Sequence, residues 1–76
     1  MTKQNKPKLP ANRIQIVPEG RKGWRWVVYY RGKPVAQSWE QYRRESDAAR
    51  GAERFDDICQ EIYFSYPIFK SNGEYA

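Results

Sequence analysis

The chain has 76 residues, a formal net charge of +5, a single cysteine (Cys59) and no histidine. This length allows one domain, and neither an intramolecular disulfide nor a cysteine-bound zinc ion can stabilise it. Histidine is the commonest general base and metal ligand, and because it is absent we expect a non-enzymatic protein without a cofactor. The sequence has no apolar run suited to a signal peptide or a membrane span, so we expect the protein in the cytoplasm.

Charge is divided unevenly along the chain. Residues 1–44 carry eleven Lys and Arg residues against two acidic ones, a formal charge of +9, whereas residues 45–76 carry three against seven, a charge of −4. This division suggests an anionic partner on one side, or two subunits that meet through opposite charges. Because so small a chain is only marginally stable alone, we also expect a homodimer.

The first third of the chain is predicted to form a flexible N-terminal arm followed by a strand. Residues 1–11 are polar and basic, with two prolines and no periodicity, and we expect them to form a flexible arm. In residues 13–17, Ile14 and Ile16 alternate with polar side chains, which indicates a short strand. The folded domain is expected to span residues 12–65.

Residues 24–31 give the strongest strand signal, because they are rich in aromatic and β-branched side chains. A tight turn at Gly32 and Lys33 is predicted to join them to a third strand at residues 35–39. Alternation gives the second strand one face with Trp24, Trp26, Val28 and Tyr30 and another with Arg25, Val27, Tyr29 and Arg31.

A helix follows the strands. Ser46 suits its N-cap, and Pro67 disfavours helix at the residue before it, so the helix is predicted to end near Phe64 or Ser65. Gly51, inside the helix, suggests close packing on the sheet. The fold class is therefore α+β: a three-stranded antiparallel sheet packed on one face by a C-terminal helix (β-β-β-α). The predicted core consists of Ile14, Ile16, Trp24, Trp26, Val28, Val35, Trp39, Ala48, Ala52, Phe55, Cys59 and Ile62.

Residues 66–76 form an aromatic C-terminal extension. Its apolar side chains and those just before it either pack back on the sheet or form a subunit interface, because a structureless tail rarely carries so much apolar area. We assign the dimer interface to Tyr63, Phe64, Tyr66, Ile68 and Phe69.

The segment VAQSWEQYRRESDAARGAERF resembles the YegP-like family, small bacterial domains of three antiparallel strands followed by a helix. Single-copy members of that family pair into dimers, so the resemblance implies a homodimer, and it implies no established activity. The aromatic C-terminal extension departs from the family pattern and leaves the mode of dimerisation open. The matching residues are Gly32, Val35, Ala36, Ser38, Tyr42, Ser46, Ala48, Ala49 and Gly51.

A weaker resemblance is to the arm-type DNA-binding domains of phage integrases, which also have three strands and a helix. The shared feature is a Gly-Lys turn followed by a segment that leads to an alanine-rich helix. Those domains lay their sheet in the major groove, so the resemblance implies that Arg25, Arg31 and Lys33 project toward DNA. The run A-x-S-x-x-x-Y of this chain is absent from the integrase pattern.

The candidate site is a basic sheet face. Tyr29 is predicted to lie between Arg25 and Arg31, an arrangement suited to stacking on a base or binding a phosphate. An ordinary solvated sheet face or a dimer interface shows the same arrangement. We interpret the chain as a small binding module for nucleic acid; the alternative is a protein-interaction or inhibitor module that binds an acidic protein partner. The predicted binding residues are Arg21, Lys22, Arg25, Tyr29, Arg31, Lys33, Arg43 and Arg44.

Overall fold

The computed structural model describes residues 9–21, 23–60 and 66–76. Its elements are strands β1 (Arg13–Glu19), β2 (Gly23–Tyr30) and β3 (Lys33–Gln37), helix α1 (Glu45–Gln60) and strand β4 (Ile68–Phe69). The predicted α+β class is confirmed. The prediction of three antiparallel strands is wrong, because the sheet has four strands in the order β3-β2-β1-β4 and β4 runs parallel to β1. A strand of two residues is too short to show an alternating pattern in the sequence.

The C-terminal segment joins the sheet. Ile14 N donates a hydrogen bond to Pro67 O at 2.9 Å, and Ala76 N donates to Ile68 O at 3.0 Å. Phe69 is 5% exposed and stacks on Tyr75, with 4.8 Å between the ring centroids. The segment therefore packs back on its own sheet, which was one of the two alternatives.

Of the residues assigned to a dimer interface, Tyr66 and Ile68 are partly buried against the core of the same chain. Tyr63 and Phe64 lie outside the described residues.

Helix α1 packs on one face of the first hairpin, which consists of β1 and β2. This hairpin pairs in regular antiparallel register, with Ile14 opposite Val28 and Ile16 opposite Trp26. Side chains opposite each other share a face, so this apolar set meets α1. The buried cluster is Ile14, Ile16, Trp26, Val28, Ala48 and Ala52, with Trp24, Tyr42, Ala49, Phe55, Tyr66 and Ile68 partly buried against it.

Two predicted core residues lie outside the core. Val35 is 60% exposed and Trp39 is 97% exposed, so their assignment to the core is wrong. The reason is a β-bulge: Pro34 lies opposite Tyr29 but Ala36, not Val35, lies opposite Val28. One extra residue turns the rest of the strand over, and Ser38 becomes the buried side chain, with 2% exposure.

The turn between β2 and β3 also differs from the prediction. Its central residues are Arg31 (φ +54°) and Gly32 (φ +82°) rather than Gly32 and Lys33, and Tyr30 pairs with Lys33. Two successive residues with positive φ are typical of a type I′ hairpin turn. Asn12 accepts a hydrogen bond from Arg31 N at 2.8 Å, which ties this turn to the chain before β1.

Helix α1 begins earlier than predicted. Arg44 O accepts hydrogen bonds from Asp47 N and Ala48 N, each at 3.1 Å, so Arg44 rather than Ser46 occupies the N-cap position. Close packing at Gly51 is confirmed, because a Cβ there would lie 2.8 Å from Cζ of Tyr42 and closer still to its hydroxyl. The predicted helix end, Ile62 and the side chain of Cys59 fall outside what the structure describes.

Candidate nucleic-acid interface

Exposed and partly exposed basic residues lie at two opposite ends of the sheet. At one end, which we call the hairpin end, Arg13, Tyr29, Tyr30, Arg31 and Lys33 surround the β2–β3 turn. The other end we call the loop end. Here Arg21 lies just after β1, and the segment between β3 and α1 contributes Trp39, Arg43 and Arg44. At about 3.3 Å per residue, β2 separates the two ends by roughly 20 Å. Lys22 lies outside the described residues.

Two arginine–tyrosine contacts form the hairpin end. The guanidinium carbon of Arg13 lies 4.1 Å from the ring centroid of Tyr29. That of Arg31 lies 5.4 Å from the ring centroid of Tyr30. Both distances fall within the range of a cation–π interaction.

The backbone and a neighbouring amide hold Arg13 in place. Its Nε donates to Gln15 Oε1 at 2.8 Å, and its Nη1 donates to Pro10 O at 3.0 Å. Arg31 and Lys33 are exposed, and the segments 9–13 and 29–37 that build this end contain no acidic residue. Among the described residues, the hairpin end is therefore a basic patch whose own segments supply no acidic residue, beside two aromatic rings.

Arg13 is a site residue that was not predicted, and Arg31 lies elsewhere than predicted. We predicted that Arg25 and Arg31 flank Tyr29, but the partner of Tyr29 is Arg13, which lies opposite it in the β1–β2 register. Counting pairs back from the glycine turn after β1 identifies this neighbour. Arg31 instead sits within the turn, where strand alternation no longer applies, and contacts Tyr30.

Arg25 is engaged within the protein. Its Nε forms an ion pair with Glu19, and its Nη1 donates to Ser38 O at 2.6 Å. Only 18% of its side chain is exposed. Arg25 thus ties β1 and β2 to the segment after β3, and Glu19 balances its charge.

The loop end presents one aromatic side chain on a fixed backbone. Trp39 is 97% exposed. On one side of it, Ser38 N donates to Trp26 O at 2.8 Å; on the other, Tyr42 and Trp24 exchange two backbone hydrogen bonds of 2.7 Å. Trp39 was predicted in the core rather than on the surface, because the bulge in β3 has no clear sequence signal.

The face of the sheet opposite α1 connects the two ends. It carries a shallow depression of about 260 Å³ lined by Val27, Pro34, Val35, Ala36 and Gln37. Among the described residues, no three His, Cys, Asp or Glu side chains are grouped so that they could hold a metal ion. No helix within the described ranges is long and apolar enough to cross a membrane.

Comparison with family models, with curated proteins and with solved structures finds no match to this chain. The resemblance to the YegP-like family and the weaker one to integrase arm-type domains stay predictions.

Proposed function

We propose that this protein is a small, non-enzymatic nucleic-acid-binding module whose hairpin end contacts backbone phosphates. The observation that carries the proposal is the pair of arginine–tyrosine contacts, Arg13 on Tyr29 and Arg31 on Tyr30, beside the exposed Lys33. Arginine donors match phosphate oxygens, and contact with a ring limits the positions of the guanidinium before the ligand arrives. Arg13 already uses Nε and Nη1 within the chain, so its contribution is positive charge and its remaining terminal nitrogen, whereas Arg31 is exposed in the turn.

The distribution of charge supports a polyanionic ligand. Strands β1, β2 and β3 belong to the half of the chain with a formal charge of +9, whereas α1 and the C-terminal segment with β4 belong to the half with −4. Such a dipolar protein turns its basic side toward a polyanion as it approaches and holds its acidic helix away.

The test compares two double variants of equal charge. Arg31→Gln/Lys33→Gln removes two positive charges from the hairpin end, and Arg50→Gln/Arg54→Gln removes two exposed ones from α1. Binding of a fluorescently labelled oligonucleotide is measured by anisotropy at low salt. We expect the first variant to lose roughly tenfold in affinity because two phosphate contacts are lost. The helix variant is expected to bind nearly as wild type does.

Two results would contradict the proposal. Equal losses in both variants would mean that only net charge matters. If the wild type binds neither DNA nor RNA at low salt, nucleic acid is not the ligand, and an acidic protein partner becomes the better interpretation of the same basic residues.

A homodimer and a cytoplasmic location are part of the same proposal. Since Tyr66, Ile68 and Phe69 are largely used within their own chain, self-association would draw on exposed apolar side chains such as Val35 and Ile58. Sedimentation at tens of micromolar tests this: the dimer requires a species of twice the 9.1 kDa chain mass.

A further inference from the structure

We infer that Trp39 is a stacking platform for an unpaired base, so that the ligand bound at the loop end is single-stranded. This inference rests on the proposed function and adds the form of nucleic acid that the module prefers. It begins from the exposure of Trp39, which leaves 97% of its surface in water. Tryptophan is highly buried on average, whereas here the whole indole is accessible to a ligand.

The backbone around Trp39 is fixed although its side chain is free. Ser38 N donates to Trp26 O at 2.8 Å, and the buried Ser38 Oγ donates to Glu40 O at 2.8 Å. Arg25 Nη1 donates to Ser38 O at 2.6 Å and reaches Trp39 O at 3.4 Å. Because the bonds hold the chain on both sides of Trp39, the indole is presented with little backbone entropy left to lose on binding.

Trp39 lies just beyond the end of the sheet face that α1 leaves open. Gln37 pairs with Val27 on that face, and Trp39 follows two residues later in a bend, directly after the buried Ser38. The open face runs from there, past Val27, to Tyr29 at the hairpin end. A strand that lies along β2 would therefore meet an aromatic ring at each end.

The charge around Trp39 favours a nucleic acid over an apolar partner. Arg21, Arg43 and Arg44 are exposed at the loop end. Of the acids near them in the described chain, Glu19 is paired with Arg25, whereas Glu40 and the first turn of α1, with Glu45 and Asp47, carry negative charge. Aromatic side chains that stack on successive bases, combined with cations that follow the phosphates, are the usual construction of single-strand binding surfaces. A base in a duplex is already stacked on both faces and cannot use the indole.

The experiment measures the affinity of wild type, Trp39→Ala and Trp39→Phe for an oligothymidine single strand and for a duplex of equal length. We expect Trp39→Ala to bind the single strand about 5- to 150-fold more weakly, while duplex binding stays unchanged. Trp39→Phe keeps a ring and should recover most of the single-strand affinity. Ile58→Ala, at an exposed apolar position on α1 and away from the open face, is the control and should affect neither probe.

Each remaining outcome overturns the inference. If Trp39→Ala binds the single strand as wild type does, stacking at Trp39 is wrong, whereas phosphate binding by the module stands. If the affinity of Trp39→Ala falls equally for the single strand and for the duplex, Trp39 does not select single strands. If wild type binds neither probe, the proposed function fails as well. Unfolding of each variant is followed by circular dichroism, and the midpoint should not move because Trp39 contributes no burial.

Discussion

The two hairpins of the sheet share β2 but differ in regularity and burial. The first pairs β1 with β2 over seven consecutive positions without interruption and places Ile14 and Ile16 beneath α1. The second pairs β2 with β3 across a bulge, and all five residues of β3 are exposed. The first hairpin and the helix therefore supply most of the stability, which leaves the second hairpin free to carry surface side chains such as Lys33 and Trp39.

The largest effect is expected at the centre of the first hairpin. Ile16 is fully buried, so Ile16→Ala should lower the free energy of unfolding by about 2–5 kcal/mol, enough to unfold a marginal domain. Its neighbour Val17 faces away from the helix, and Val17→Ala should cost about 0.5 kcal/mol. Urea denaturation of both variants checks this; similar midpoints would mean that the two faces are not distinguished as described.

The next effect lies where α1 meets the first hairpin. Alanine is normally favoured over glycine in a helix by about 1 kcal/mol, yet Gly51→Ala should destabilise by about 1–3 kcal/mol. The added methyl would overlap Tyr42, and it would lie 3.1 Å from Nε1 of Trp26. Tyr42→Phe removes the nearest atom, so Gly51→Ala should cost less in that background. A raised thermal midpoint for Gly51→Ala alone would show that the helix lies further from the sheet.

Arg25 connects the two hairpins. Arg25→Gln removes the ion pair with Glu19 and the hydrogen bond to Ser38 O, and should cost about 1–3 kcal/mol. Lys33→Gln, an exposed cation on the second hairpin, should leave the stability unchanged. Urea midpoints measure both. If Arg25→Gln keeps its stability but loses affinity for nucleic acid, Arg25 is a ligand contact rather than a structural link.

The smallest effect is expected on the second hairpin. Val35→Ala should change the free energy of unfolding by about 0.5 kcal/mol or less, because Val35 is 60% exposed. Val28→Ala, the same substitution under the helix, should cost about 2 kcal/mol. Thermal unfolding of the pair compares the hairpins directly, and equal costs would contradict the bulged register.

The regular part of the fold is readable in the sequence. Ile14 and Ile16 alternate with polar residues in β1, and Ala48 and Ala52 lie one turn apart in α1. These local patterns predict which face of the strand and which face of the helix are buried. The facing of β3 cannot be predicted that way. It depends on where one extra residue enters beside Pro34, and alternation without that residue places Trp39 in the core.

The candidate site also has a part that the sequence predicts and a part that it does not. Exposed cations such as Lys33 were identified from charge alone, since a cation without an acidic neighbour stays on the surface. The partners of Arg25 could not be identified from the sequence, because Glu19 and Ser38 O approach Arg25 only after both hairpins have formed. The contact of Arg13 with Tyr29 follows from the strand register once the first turn is fixed.

The most direct test of the central claim, that the hairpin end binds phosphates, is the salt dependence of oligonucleotide affinity. For a single strand, each phosphate neutralised contributes about 0.7 to the slope of log affinity against log salt, measured between roughly 50 and 200 mM. Arg31→Gln/Lys33→Gln should therefore reduce the slope by about 1.4, and Arg50→Gln/Arg54→Gln should leave it at the wild-type value. An unchanged slope in the hairpin-end variant, or an equal reduction in the helix variant, would contradict the account.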